Sequence, residues 1–172
     1  MNKLEVYSFS DYISVRTLAH RVKDGDNESI TRAAGYMAHF VSLIADSNSI
    51  IIPMPGRNGF ADYTMRLAER ISELTGVACA DVLRSKPHIP QYCRKLKYGV
   101  KGMSRLSFFL NTNLPLGCRP ILIDNVLDTG TTAMSALHAL GISADLVVIG
   151  NTDNYRLYDY PIHVLERSLA LQ

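Results

Sequence analysis

Residues Ile121–Thr132 read ILIDNVLDTGTT, and this stretch decides the fold class. Ile121, Leu122 and Ile123 follow Pro120 with no polar residue between them. A strand apolar at consecutive positions is covered on both faces, which is the situation of a parallel sheet layered by helices. Asp124 and Asn125 end the apolar run, Gly130 marks a tight turn, and residues 131–140 (TTAMSALHAL) then follow a helical pattern. Strand, glycine turn and helix in this order are the leading half of a βαβ unit.

The same pattern extends outward. Ser49–Met54 (SIIIPM) and Leu146–Ile149 (LVVI) are further apolar strand candidates, and Val77–Leu83 is another. Val15, Leu18, Ala19 and Val22 form one face of a helix over 15–24, stopped by Gly25. Ile30, Ala33, Ala34, Met37, Val41 and Ile44 line a second helix over 29–45. Phe60, Thr64, Leu67, Ile71 and Leu74 mark a third, with Gly76 as its stop. Residues 84–105 hold Pro87, Pro90, Gly99 and Gly102 and read as a long loop, a feature that in compact domains is usually functional or mobile. The expectation is an α/β fold in one domain spanning 1–172, with a central, mainly parallel sheet flanked by helices and a loop hood formed by the basic 84–105 segment.

Composition narrows the function classes. The chain has 172 residues, 47% of them hydrophobic and 20% charged, enough for a sizeable core and too apolar for disorder. No apolar run approaches the length needed to span a bilayer, and MNKLEVYSFS has no secretory apolar core, so a cytoplasmic protein without membrane contact is expected. Cys79, Cys93 and Cys118 are too few and too widely spaced for a disulfide framework or a zinc-ligand pair. Charge is unevenly placed. Val82–Ile123 contains no Asp or Glu and eight Lys and Arg residues, which leaves the rest of the chain at −6 against a net charge of +2. A basic block in an otherwise acidic chain suits a partner with concentrated negative charge: phosphate, pyrophosphate or nucleic acid. A solvated basic loop is the plainer alternative.

The strand end and turn also suggest chemistry. Ligands collect at the C-terminal ends of parallel strands. A helix N-terminus after a glycine turn offers backbone N–H groups and the positive end of a dipole. Thr129, Thr131 and Thr132 add hydroxyls, and Asp124 with Asn125 can hold the vicinal hydroxyls of a ribose. Together these form a cradle for a sugar phosphate; a capped turn with solvated Asp124 and Asp128 fits the same spacing. The P-loop and dinucleotide fingerprints are absent.

Ile121–Thr132 resembles the phosphoribosyl-diphosphate (PRPP) signature of type I phosphoribosyltransferases: four apolar residues, two acidic ones, then V-x-x-T-G-x-T. Tyr12–Asp24 resembles the N-terminal helix of the ComF-like branch, with its lysine near Lys23. Residues 50–63 (IIIPMPGRNGFADY) resemble that branch's strand end and R-G-F-N-Q run, and residues 84–102 (RSKPHIPQYCRKLKYGVKG) its arginine loop, with Gln91 downstream. The branch's zinc module has no counterpart in the sequence. The resemblance implies a Mg²⁺-dependent enzyme that moves ribose 5-phosphate from PRPP to a nucleobase or amine nitrogen and releases pyrophosphate. It assigns PRPP binding to Asp124, Asn125, Asp128, Thr129, Gly130, Thr131 and Thr132, and metal support to Asp124. Pyrophosphate falls to Pro55, Gly56, Arg57, Arg84, Lys86 and Lys101, and catalytic roles to Asp128 and Arg84.

Two positions depart from the ComF-like pattern. Asn125 replaces the second acid, which removes a charge from the metal side. Asp128 replaces a threonine and resembles the hypoxanthine-guanine enzymes, which makes a 6-oxopurine the first acceptor to test. Asp128 can also cap the following helix or help hold Mg²⁺. The segment Asn151–Leu165 is similar to the base-pocket strand of those same enzymes. Two other functions compete: a PRPP- or nucleotide-sensing regulator without turnover, which Asn125 favours, and a ComF-like accessory protein in DNA uptake, in which Tyr92 and Tyr98 between basic residues stack on bases. A homodimer is left open.

Overall fold

The computed structural model describes residues 2–99, 105–152 and, as backbone, 162–164. A parallel sheet forms its centre, in the order β2 (Ser49–Pro53), β5 (Arg119–Ile123), β7 (Ala144–Asn151), β1 (Leu4–Asp11) and β8 (Ile162–Val164). A two-residue strand, β6 (Val126–Leu127), also pairs with β7. It continues β5 past Asp124 and Asn125 without a register change, because Asp124 N–H donates to Val147 O (3.2 Å) and Ile149 N–H to Asn125 O (3.0 Å) across the gap.

Neighbouring residues of each central strand enter different cores. Ile51, Ile121, Ile123, Val147 and Ile149 pack under α1 (Tyr12–Lys23), α2 (Asn27–Ile44) and α3 (Tyr63–Thr75). Ile52, Leu122, Leu146 and Val148 pack on the other face with α5 (Thr131–Leu140). This two-sided burial is the reason the strands read as unbroken apolar runs, and each such side chain contributes roughly 1.5–3 kcal/mol. Asp11 and Asp26 accept from Ser14 N–H (3.0 Å) and Ser29 N–H (2.9 Å) and so fix the starts of α1 and α2. Gly150 allows α1 to approach β7: a Cβ there would lie 2.5 Å from Val15 Cγ2 and 3.3 Å from Tyr12 Cα.

Three expectations change. The N-terminal strand β1, beyond the strands expected from the apolar runs, lies between β7 and β8. Its buried residues alternate (Leu4, Val6, Ser8, Ser10), so half of its inward positions are serines. The expected strand over Val77–Leu83 is reduced to a single bridge between Cys79 and Ile51, and β3 begins only at Leu83 (Leu83–Ser85). The 84–105 stretch is not simply a loop. β3 pairs antiparallel with β4 (Phe108–Leu110), and α4 (Gln91–Tyr98) forms between them. Its breakers stand outside the helix: Pro87 and Pro90 precede it, and Gly99 ends it. Residues 100–104, including Lys101 and Gly102, lie outside the described residues, as does most of Asn151–Leu165. No described helix is long and apolar enough to cross a membrane.

Candidate functional site

The C-terminal edge of the sheet gathers most of the residues expected in a site. Met54 N–H donates to Ile123 O at 3.0 Å, so the end of β2 stands beside the end of β5. That places the Pro55–Arg57 turn next to Asp124. The turn closes on itself through Gly56 N–H to Phe60 O (2.9 Å) and is fastened to the basic segment through His88 N–H to Arg57 O (3.0 Å). Arg57 itself is exposed.

Asp124 leaves the strand half-buried. Its Oδ1 accepts from Asn125 N–H at 2.7 Å. Burial pushes its carboxyl up to about 6, against the opposing pull of the Asn125 N–H and the Lys23 ammonium. Among the described residues no cation touches it within hydrogen-bond distance. Burial likewise pushes the Tyr63 phenol far up, with Asp124 and Asp62 adding to the effect, so Tyr63 keeps its proton near this carboxylate. Asn125 turns inward: it is 6% exposed, and its Nδ2 donates to Ala19 O in α1 at 2.8 Å. Among the described residues its Oδ1 is buried without a hydrogen-bond partner, and so is Asn151 Oδ1 across β6. Buried, unpaired polar atoms are rare enough in proteins to need an explanation.

The turn beyond β6 is built on Gly130, whose φ of +78° is a left-handed conformation that β-branched residues scarcely adopt. Thr129 and Thr131 are buried and share a hydrogen bond between their hydroxyls (2.9 Å), which shapes the turn. Thr132 is half-buried at the start of α5. Asp128 does not cap this helix. Its carboxylate accepts from Thr152 Oγ1 (2.8 Å) and pairs with Lys95 Nζ of α4 at 3.1 and 3.3 Å.

Asp124, Asp128, Thr129, Gly130, Thr131, Thr132 and the Pro55–Arg57 turn therefore share one edge. Arg84 is engaged elsewhere: it forks onto Asp81 at 2.6 and 2.9 Å and donates to Leu83 O at 2.8 Å. Lys86 is exposed on the β3–α4 connection, and Lys101 lies outside the described residues. Lys95 and Thr152 were not singled out from sequence. Their partner is 33 and 24 residues away, so only the fold brings them to it. Lys23, by contrast, was marked by the helix resemblance. Among the described residues no group of three or more His, Cys, Asp and Glu could enclose a metal ion.

No family model matches the chain, and no curated protein matches it. Several solved structures are similar to it. An adenine phosphoribosyltransferase shares 16% identity over 83% of this chain and 81% of that one, with a TM-score of 0.49. The adenine phosphoribosyltransferase of Leishmania donovani shares 20% over 91% and 82%, with a TM-score of 0.46. An allosteric regulatory enzyme of purine biosynthesis shares 16% over 70% of this chain and 25% of that one, with a TM-score of 0.43.

Proposed function

We propose that this chain is a phosphoribosyltransferase of the type I, ComF-like kind, with PRPP held at the C-terminal edge of its sheet. The observation that carries the reading is one juxtaposition: the Asp124 carboxylate and the Gly130 turn that opens α5 flank the same strand end, beside the Pro55–Arg57 turn of β2. The N–H groups of the Asp128–Thr132 turn and the Thr132 hydroxyl bind the 5-phosphate. Asp124 accepts from the ribose hydroxyls. The Pro55–Arg57 turn and Arg57 hold the pyrophosphate, and Arg84 exchanges Asp81 for the same group when the basic segment closes. As pyrophosphate leaves C1 and a nitrogen attacks, positive charge grows on the sugar and negative charge on the leaving group. Fixed cations at the leaving group and exclusion of water lower that barrier.

Mg²⁺ fits this donor set. It is commonly held by substrate phosphates and waters with one or two carboxylates. Asp124 supplies one such carboxylate, while Asn125 is turned toward Ala19. The ion would neutralise pyrophosphate charge. Asp128 faces the space beside C1 and can share a proton with the attacking ring once Lys95 and Thr152 fix its orientation.

A PRPP-binding regulator without turnover is the second reading, favoured by Asn125 at the second acidic position and by the Arg84–Asp81 fork. Incubation of the full chain with PRPP, Mg²⁺ and a panel of bases, headed by 6-oxopurines and followed by pyrophosphate release, separates the two. Release with one base establishes the enzyme. PRPP binding without release for any base establishes the regulator, and absence of PRPP binding discards both.

A further inference from the structure

The basic segment lines an open cleft of its own. Roughly 460 Å³ in volume, it lies between the β3–α4 connection, α4 and the residues leading into β4. That size falls within the usual range of small-molecule sites. Lys86, His88, Arg94 and Arg105 line it, and no carboxylate does among the described residues. His88 Nδ1 donates to Ile89 O at 2.9 Å, which fixes the ring. The remaining wall is apolar or aromatic, with Pro87, Ile89, Leu106 and the Tyr98 ring.

The cleft adjoins the Pro55–Arg57 turn through His88, and two features set it off from the Gly130 turn. Arg105 donates to His138 Nδ1 (3.3 Å) and Leu106 N–H to Ser135 Oγ (2.9 Å), so this wall lies along α5. Ser135 and His138 stand about 6 and 10 Å along the helix from Thr131. Helix α4 also divides its faces: Arg94 and Tyr98, one turn apart, line the cleft, whereas Lys95 points to Asp128.

We propose that this cleft of the basic segment is a second anion site that binds a nucleoside di- or triphosphate. Lys86 and Arg105, both exposed and without an acidic partner among the described residues, suit a phosphate chain. A bare polyphosphate has no use for the Pro87, Ile89 and Leu106 wall or the Tyr98 ring, and a flat base does. The site does not depend on the cradle binding PRPP.

The test is calorimetric titration of the full chain with ATP and, separately, with inorganic triphosphate. Arg105→Glu reverses an exposed charge in the cleft, and Gly130→Val disrupts the cradle. ATP should bind wild type more tightly than triphosphate does. Its affinity should fall at least ~10-fold in Arg105→Glu, in keeping with loss of a charge-assisted hydrogen bond. In folded Gly130→Val its affinity should be unchanged. Absence of ATP binding, equal binding to Arg105→Glu and wild type, or loss in Gly130→Val to the same degree would overturn the proposal. Triphosphate binding as tightly as ATP would overturn the nucleoside assignment. ATP binding that follows the expected pattern in a protein that never binds PRPP would sink the phosphoribosyltransferase reading and leave this one standing.

Discussion

The two ends of the central sheet treat their polar residues in opposite ways. At the N-terminal end Arg119 opens β5 and Asp145 lies near the start of β7. Arg119 Nη2 and Nε reach Asp145 Oδ2 at 2.9 and 3.1 Å, and Nη1 donates to Ile44 O at 2.8 Å. Asp145 is 5% exposed, and its charge is answered from within the chain. At the C-terminal end, among the described residues, Asp124 has no such cation, and Asn125 and Asn151 keep buried oxygens without partners. A polar group matched internally holds the fold together; one left unmatched at a strand end is available to something else. Arg119 belongs to the basic block in sequence and to the scaffold in space.

This contrast can be broken most sharply at Gly130. Valine would have to adopt a φ near +78°, which displaces the turn N–H groups. PRPP affinity should drop by roughly 10²-fold or more, the scale of loss that follows misplacement of binding groups by an ångström. Equilibrium binding to a folded variant checks this, and unchanged affinity would remove the cradle from the account.

Asp145→Ala strikes the other end. It should cost about 2 kcal/mol in urea unfolding, less than the 3–5 of a fully buried pair because Arg119 is partly solvated. PRPP binding should be unaffected in the folded protein. A binding defect as large as that of Gly130→Val would erase the distinction between the ends.

Asp124 gives a pH signature with a definite sign. Its folded value, about 6, lies above the ~3.9 of an unfolded aspartate, so the folded state binds the proton more tightly. The stability tied to that proton is fully present below about pH 4 and is lost as pH rises through about 6. Asp124→Asn should abolish this slope and make the protein more stable than wild type at pH 8 by up to about 2 kcal/mol, while losing Mg²⁺-dependent PRPP binding. Urea denaturation across pH 4–8 measures the first effect. Parallel pH profiles in wild type and variant would show that the carboxyl is not strained.

The smallest effect belongs to Lys95. Its pair with Asp128 is partly solvated on both sides, so Lys95→Met should change stability by less than ~1 kcal/mol. Turnover should respond more, because the substitution frees Asp128 from one of the groups that orient it. A variant with full stability and full turnover would show that the α4 contact is incidental.

Much of this was legible in the sequence because it depends on local periodicity. Ile50–Ile52, Ile121–Ile123 and Leu146–Ile149 announced buried parallel strands, and the Gly130 turn announced the cradle, since each pattern reports burial or backbone conformation within a few residues. β1 escaped because Ser8 and Ser10 occupy inward positions, and α4 because the prolines and glycines around it are denser than the helix between them is long. The sequence by itself determined the α/β class, the strand–turn–helix unit and the accumulation of positive charge between Val82 and Ile123. Only the tertiary structure decided where each charge is used: Arg119 on Asp145, Arg84 on Asp81, Lys95 on Asp128, and Asn125 against Ala19 rather than the open strand end. The physical reason is that pairing depends on distance in space, and most of these partners lie 26 to 106 residues apart along the chain, a separation that no periodicity encodes.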